Sequence, residues 1–392
     1  MIRMCSVLFL AVLTLSRALA GPDTLPLKKI VVDSSTNHIL DMGYRRMPLP
    51  STLESSQFAQ LRERIHGTMN MSGMDEIQVM MMLTAWVSNQ WKHDGRSVPP
   101  PNLTSSQLLD KVKKGARYNC EGYAKVLSDV LLSQGIVARV VQLRTQDQSY
   151  GEPGQGHIAV EAWSNMLKKW LFLDPQLNGL ILRENLPLNV LEASEAVHAG
   201  HGDSLRFLCT GLSTKQYEGF LIRHFGYLVT QIKTESHDAL LALALTGNEQ
   251  FLTFQGLPAS GTEFTTRTGD FYPVVNETSM SFYFDEQPGY EAVMKHYKVH
   301  TKEEYVRSMP LFAPKPQFKV GLQNNMPWFD HYEVSIDNSP WSNVRGSELS
   351  WSLHEGGNTI QVRSVNTRQV AGLVTEMHIT YGTRSVTPGA SH

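Results

Sequence analysis

Asn119-Cys120-Glu121-Gly122-Tyr123-Ala124-Lys125-Val126-Leu127 reads as the opening turns of an amphipathic helix. Asn119 is a good N-cap, Cys120, Ala124, Leu127 and Leu131 share one face at helical spacing, and Gly135 ends the run. In the first turn a cysteine meets unpaired amide groups and the positive end of the helix dipole. Both favour the thiolate, and such placement commonly lowers a thiol pKa from about 8.5 into the range of roughly 3.5 to 7.5. A buried cysteine on an apolar helix face is the plainer reading of the same pattern. Glu121 reads as a solvated first-turn acid that complements the dipole.

Downstream, Ile136 to Leu143 is strand-like, and Gln146 to Gly156 is a glycine-rich loop. His157 to Trp163 and Lys168 to Asp174 then predict two strands around a turn at Asn165-Met166. A two-residue hairpin loop there sets His157 opposite Asp174, Ala159 opposite Phe172 and Glu161 opposite Trp170. Facing side chains on one side of a ladder have Cβ atoms about 4.5 to 5.5 Å apart, so the carboxylate reaches the imidazole. A slip of one residue would split the pair between the two faces. Ile158, Val160 and Ala162 share the other face with Leu171 and Leu173, an apolar set suited to packing under helices. Thiol, imidazole and carboxylate in this order form a candidate nucleophile relay of Cys120, His157 and Asp174.

Upstream, the spacing predicts helices over Leu53 to Ile65, Asp75 to Trp91 and Gln107 to Lys114, the last capped by Thr104 or Ser105. Between Asn178 and Pro314 the pattern is weaker. Gln216 to Val229 and His237 to Leu245 read as helical, and Phe264 to Phe284 as β-rich. His198, His201 and Asp203 lie close together in a glycine-containing loop, without the i, i+4 placement that orients metal ligands. From Pro314 the texture turns all-β, with strands expected at Phe318 to Leu322, Tyr332 to Asp337, Leu349 to Leu353, Thr359 to Val365 and Val374 to Tyr381. Turns are expected at Asn338-Ser339-Pro340 and Gly356-Gly357-Asn358.

The first twenty residues have the form of a secretory signal: Arg3, an apolar core from Val7 to Leu15, and Ala18-Leu19-Ala20 before Gly21. That core is shorter than the roughly 20 residues a bilayer-spanning helix needs. Export is therefore expected, to a secreted or periplasmic location. Loss of the leader removes Cys5 and leaves Cys120 and Cys209, which an oxidising compartment could join; the helix-start context of Cys120 argues for a free thiol. Cys209 reads as a small buried hydrophobe. A net charge of −2 over 392 residues gives no reason to expect nucleic acid as a partner. Asn70, Asn102 and Asn276 open Asn-X-Ser/Thr triplets, which would matter in a eukaryotic host; the β-module texture leans bacterial.

Lys111 to Asn178 resembles the transglutaminase-like core shared by transglutaminases, peptide N-glycanases and many bacterial cysteine peptidases. The matching residues are Asn119 to Ala124, Gly135-Ile136-Val137-Ala138-Arg139-Val140-Val141, Gly156 to Trp163, and Leu173-Asp174-Pro175. By this resemblance the fold is α+β, a papain-like transglutaminase core with helices packed on an antiparallel sheet. Trp351 to Val362, followed by Tyr381, resembles fibronectin type III or immunoglobulin-like modules of secreted bacterial proteins, so a β-sandwich domain follows the core. The expected organisation is a signal peptide at 1–20, a catalytic domain at 21–313 with its core at about 75–178, a β-sandwich module at 314–384 and a tail at 385–392.

The resemblance implies Cys120 as nucleophile, His157 as general base and then acid, and Asp174 as the group orienting His157. The chemistry implied is attack on a peptide or protein amide through a thioester, by hydrolysis more than by crosslinking. A catalytically silent peptide-binding module is the reading from another class. The calcium sites of animal tissue transglutaminases are not recognisable, and neither metal nor cofactor is expected. Expected partners are a peptide or protein substrate, no nucleic acid, no integral membrane segment after leader removal, and the cell envelope through the C-terminal module. The Cys120 amide is a natural oxyanion donor, with Gln90 and Trp91 as candidates for a second.

Overall fold

The computed structural model describes residues 28–147, 156–234, 238–245, 261–284, 290–308 and 316–382. The expected leader at residues 1–20 with Cys5, most of the glycine-rich loop before His157 and residues 385–392 lie outside the described residues. After strand β1 (Lys29–Ser35) come four helices, α1 (Ser56–His66), α2 (Glu76–Ser88), α3 (Ser105–Lys113) and α4 (Cys120–Ser133). Each begins at a side-chain cap: Ser55, Asp75, Thr104 and Asn119 all accept a hydrogen bond from an amide of their helix's first turn. Asp75 and Thr104 complete capping boxes with Gln78 and Gln107, so these starts are fixed locally by sequence.

Strands β2 (Ala138–Arg144), β3 (Gly156–Ser164) and β4 (Lys169–Leu173) follow, then β5 (Leu180–Arg183), β6 (Leu186–Pro187), helix α5 (Val190–His198), β7 (Leu205–Leu208) and helix α6 (Thr214–Arg223). Next are β8 (Tyr227–Lys233), β9 (Asp238–Ala244), β10 (Thr262–Thr265), the short helix α7 (Thr268–Phe271) and β11 (Thr278–Phe284). The central sheet runs β10-β9-β8-β2-β3-β4, antiparallel except for the β9/β10 pair. Its two faces are buried by different layers. Val160, Ala162, Leu171 and Leu173 pack with Leu61, Met80, Leu83, Leu127 and Leu131 of the helices, as the alternation predicts. Val141, Leu143, Ala159 and Phe172 pack on the opposite side with α5, α6 and the small sheet β6-β5-β7.

Two expectations fail in the middle region. His237 to Leu245 reads as a helix, yet its described part is the interior strand β9, bonded on both sides to β8 and β10. The run Ala239-Leu240-Leu241-Ala242-Leu243 is made of good helix formers and is buried on both faces, so no period-2 polarity marks it as a strand. Likewise Gln216 to Val229 is helical only through Arg223, because the chain turns at Gly226 into β8. Gly226 has no room for a side chain: a Cβ there would stand 2.3 Å from the Gln146 amide nitrogen.

The remaining strands, β12 (Gln317–Asn324), β13 (Phe329–Ile336), β14 (Ser342–Val344), β15 (Glu348–Ser352), β16 (Gly356–Asn366) and β17 (Thr375–Gly382), build a sandwich. One sheet is β1-β17-β16-β13-β14 and the other β11-β12-β15, closed over Val320, Trp351, Ile360 and Val362. The sandwich thus recruits β1 and β11 from well before residue 314. Asp337 and Asn338 take positive φ at the turn leading to Pro340, whereas Gly356-Gly357-Asn358 begins β16. The module is locked to the core: the Asn366 amide donates to the Gly135 carbonyl at 3.0 Å and the Trp328 indole to the Pro50 carbonyl at 2.8 Å. Gly135 has φ +83° and lies under Arg368, so it serves both the helix end and this contact.

Candidate active site

Cys120 is the first residue of α4, and the loop before it is fastened on several sides. Asn119 Oδ1 accepts from the Glu121 amide at 3.1 Å, the Asn119 amide donates to the Ser97 carbonyl at 2.9 Å, and the Asp94 amide donates to the Tyr118 carbonyl at 3.1 Å. Trp91 lies beneath this turn. Its indole donates to the Tyr118 carbonyl at 3.1 Å and its ring stacks on Tyr123 at 4.1 Å. Trp91 is therefore a packing residue whose N–H is already engaged. Gln90, the other candidate oxyanion donor, spends its amide on the Trp86 carbonyl at 2.9 Å. That bond uses one of the two Gln90 Nε2 hydrogens.

His157 and Asp174 meet in the structure, but not through the expected hairpin. The observed pairs are Val160 with Leu173, Glu161 with Phe172 and Trp163 with Trp170, so the register is displaced by two residues. The turn spans residues 165–168, with Lys168 at φ +55° and the Leu167 amide donating to Ser164 Oγ at 3.1 Å. A displacement of two keeps every side chain on its face, so the juxtaposition survives the wrong turn length. Asp174 sits just past the end of β4, pinned by reciprocal 2.8 Å backbone bonds to Gly179.

His157 Nε2 lies 2.9 Å from Asp174 Oδ2, and both side chains are buried. That contact leaves Nδ1 for Cys120, whose side chain is a hydrogen-bonding neighbour of the ring. The Asp174 carboxylate is saturated: Oδ1 accepts from the Gln176 and Leu177 amides at 3.0 and 3.3 Å, and Oδ2 also accepts from Tyr217 Oη at 3.0 Å. Phe220 stands edge-on to the imidazole at 5.0 Å between ring centres, with His224 at 6.5 Å.

Electrostatics follow from this burial and pairing. Burial by itself would lower the His157 pKa, yet the Asp174 charge and hydrogen bond, helped by Cys120, push it up to about 10. Burial opposes ionisation of Asp174, but the adjacent imidazolium and the hydrogen bonds from His157, Tyr217 and the Leu177 amide hold its carboxyl below the ordinary range. Burial, reinforced by the Asp174 charge, pushes the Tyr217 phenol well above its usual value, so it stays a donor. His93 is lowered by burial and by the charge of His157, so it stands near enough to sense that ring.

Cys120 and Cys209 are both free. Cys209 is half-buried, with its thiol pKa raised by burial. His198, His201 and Asp203 do not converge, and among the described residues no three His, Cys, Asp or Glu side chains are grouped to hold a metal. Among those residues no helix is long and apolar enough to cross a membrane.

Tyr217 and Gly179 escaped the sequence reading. Tyr217 lies with Leu221 on the buried stripe of α6, and nothing in that stripe distinguishes a phenol aimed at a carboxylate from an ordinary core aromatic. Gly179 is the clearance for it, since a Cβ there would fall 2.0 Å from Tyr217 Oη.

Residues 64–175 match the family model of the transglutaminase-like superfamily, a span running from α1 to the residue after Asp174. No curated protein matches the chain. Among solved structures it is similar to red sea bream transglutaminase, 12% identical, over 93% of this chain and 79% of that one, with a TM-score of 0.26. Residues 64–175 are accordingly a transglutaminase-like domain, a superfamily of the cysteine-based acyl-transfer kind.

Proposed function

We propose that the chain is an exported cysteine hydrolase that cleaves peptide or protein amides through a thioester on Cys120. The observation that carries this reading is the buried His157–Asp174 pair at 2.9 Å with Cys120 as the next hydrogen-bonding neighbour of the imidazole. The raised His157 pKa keeps the imidazole of the Cys120–His157 pair protonated across neutral pH. The Cys120 sulfur attacks the amide carbon, and the electron pair of the C=O moves to oxygen. The Cys120 N–H, in a helical first turn whose amides have no intrahelical partner, stabilises that oxyanion.

Collapse of the adduct expels the amine, which takes the proton from His157 and leaves a Cys120 thioester with a neutral imidazole. His157 then removes a proton from water, the hydroxide oxygen bonds to the acyl carbon, and the departing thiolate regenerates the pair. Asp174 and Tyr217 do not touch the reacting atoms; they fix the ring and its charge. Export rests on residues 1–20 alone. Hydrolysis over transfer to an amine rests on the absence of recognisable calcium sites in the sequence.

The deciding experiment incubates the protein with casein and a labelled primary amine. Cleavage that is lost in Cys120→Ala and Cys120→Ser, without incorporation of the amine, supports a hydrolase. Incorporation of the amine makes it a crosslinking acyltransferase. Cleavage retained in Cys120→Ala sinks the cysteine mechanism.

A further inference from the structure

A cleft of about 980 Å³ runs beside α4, walled by β2 and β8 and closed by residues 47–58. It lies on the helix side of the sheet, and its walls do not include Cys120, His157 or Asp174 themselves. Glu121, which follows Cys120, and Ile158, which follows His157, both line it. Its volume suits a segment of peptide, and Leu49, Phe58, Val140 and Ile158 supply apolar walls.

The charges in the cleft are unequally matched. Lys125 stands one turn from Glu121 and one turn from Asp129 on α4 and is electrostatically coupled to both. Asp129 Oδ2 also accepts from Ser105 Oγ at 2.6 Å and Gln57 Nε2 at 2.9 Å. Arg139 is consumed by Glu161 at 2.8 Å on the other face of the sheet. Arg144 is different. It ends β2 opposite Gly156, the residue before His157, and shares the cleft-side face with Gln142, itself opposite Ile158. Its guanidinium is half-buried and donates to the neutral Gln142 side chain, and among the described residues no carboxylate acts on it. Removing a cation from water without an anion is costly, and a guanidinium fork suits a carboxylate in two-point contact.

We propose that Arg144 is the anchor of an anion subsite in this cleft, and that the substrates are peptides carrying acidic side chains a few residues away from the amide to be cleaved. The inference rests on the acyl-transfer reading for its meaning as a substrate site, but the binding itself is measured without turnover. Cys120→Ala protein is titrated with two fluorescent peptides, acetyl-Gln-Glu-Glu-Glu-amide and acetyl-Gln-Ala-Ala-Ala-amide. The acidic peptide binds at least ~10-fold more tightly, the size of one charge-assisted, partly desolvated contact. Arg144→Gln in the same background closes that gap, whereas Arg144→Lys keeps part of it.

Phenylglyoxal modification of Arg144, read by peptide mass spectrometry in the unsubstituted protein, gives a readout independent of how the variants fold. The acidic peptide protects Arg144 and the alanine peptide does not. Equal affinities, binding of neither peptide, a gap that survives Arg144→Gln, or no protection overturns the proposal. Failure of casein cleavage with the binding gap intact would instead remove the hydrolase reading and leave the subsite standing.

Discussion

Replacing Asp174 with Asn tests the charge relay at its source. Asp174 is the main reason that the buried His157 titrates near 10 instead of at the ordinary 6.5. At 1.36 kcal/mol for each pH unit, that elevation is ~5 kcal/mol in favour of the imidazolium. Asn fills the same volume: its single carbonyl oxygen, in the Oδ1 position, still accepts from the Gln176 and Leu177 amides, and its NH2 takes the Oδ2 position facing His157 and Tyr217, so the loop keeps its backbone bonds while the charge is lost. Burial, the largest single influence on His157, is then opposed only by Cys120, and the pKa falls.

The assay is an NMR titration of ¹⁵N-histidine-labelled protein, with the His157 ring assigned by its disappearance in His157→Gln. The expected midpoint falls well below 10 in Asp174→Asn. Stability carries the same sign. A folded-state pKa above the unfolded one stabilises fully below about pH 6.5 and is lost as pH rises through about 10, so the variant's deficit is largest at or just below about pH 6.5 and shrinks as pH rises toward 10. An unchanged His157 midpoint would refute the assignment of that charge to Asp174.

Tyr217→Phe removes one donor from Asp174 Oδ2 and should lower cleavage roughly 10-fold, about the worth of one hydrogen bond to a charged group, with the His157 midpoint moving far less than in Asp174→Asn. Gly179→Ala forces Tyr217 Oη away from its 2.0 Å clearance and should match or exceed that loss, while Gly179→Ala with Tyr217→Phe should be no worse than Gly179→Ala alone. Gly135→Ala places a Cβ 2.7 Å from the Arg368 side chain at φ +83°, so a loss of about 1 to 3 kcal/mol in chemical denaturation is expected, together with faster proteolysis between core and sandwich. Expressed through a eukaryotic secretory route, the chain should carry glycans at the exposed Asn70 and Asn102 and none at Asn276, which is buried and bonded to Asn165; glycopeptide mapping reads this directly.

The parts legible in the sequence were those fixed by local chemistry. Asn119, Asp75 and Thr104 declare their helices because a side-chain oxygen has to meet first-turn amides, and the alternation around His157 declares its strand because one face meets helices. The His157–Asp174 pairing was foreseen for an incomplete reason, since the turn is four residues long and parity alone rescued the prediction. Sites assembled across the fold were silent. β9 is buried on both faces and looks helical, β1 reaches the C-terminal sheet from the other end of the chain, and Tyr217 reaches Asp174 only because Gly179 leaves space. Each depends on a neighbour distant in sequence.

The most direct test of the central claim is intact-mass analysis of the protein mixed with casein-derived peptides and quenched in acid within the first turnover. The expected result is a peptide acyl adduct mapped to Cys120, labile to hydroxylamine as a thioester is, stronger when His157→Gln slows its hydrolysis more than its formation, and absent from Cys120→Ala. Peptide cleavage with no adduct on Cys120, or undiminished in Cys120→Ala, would contradict the account.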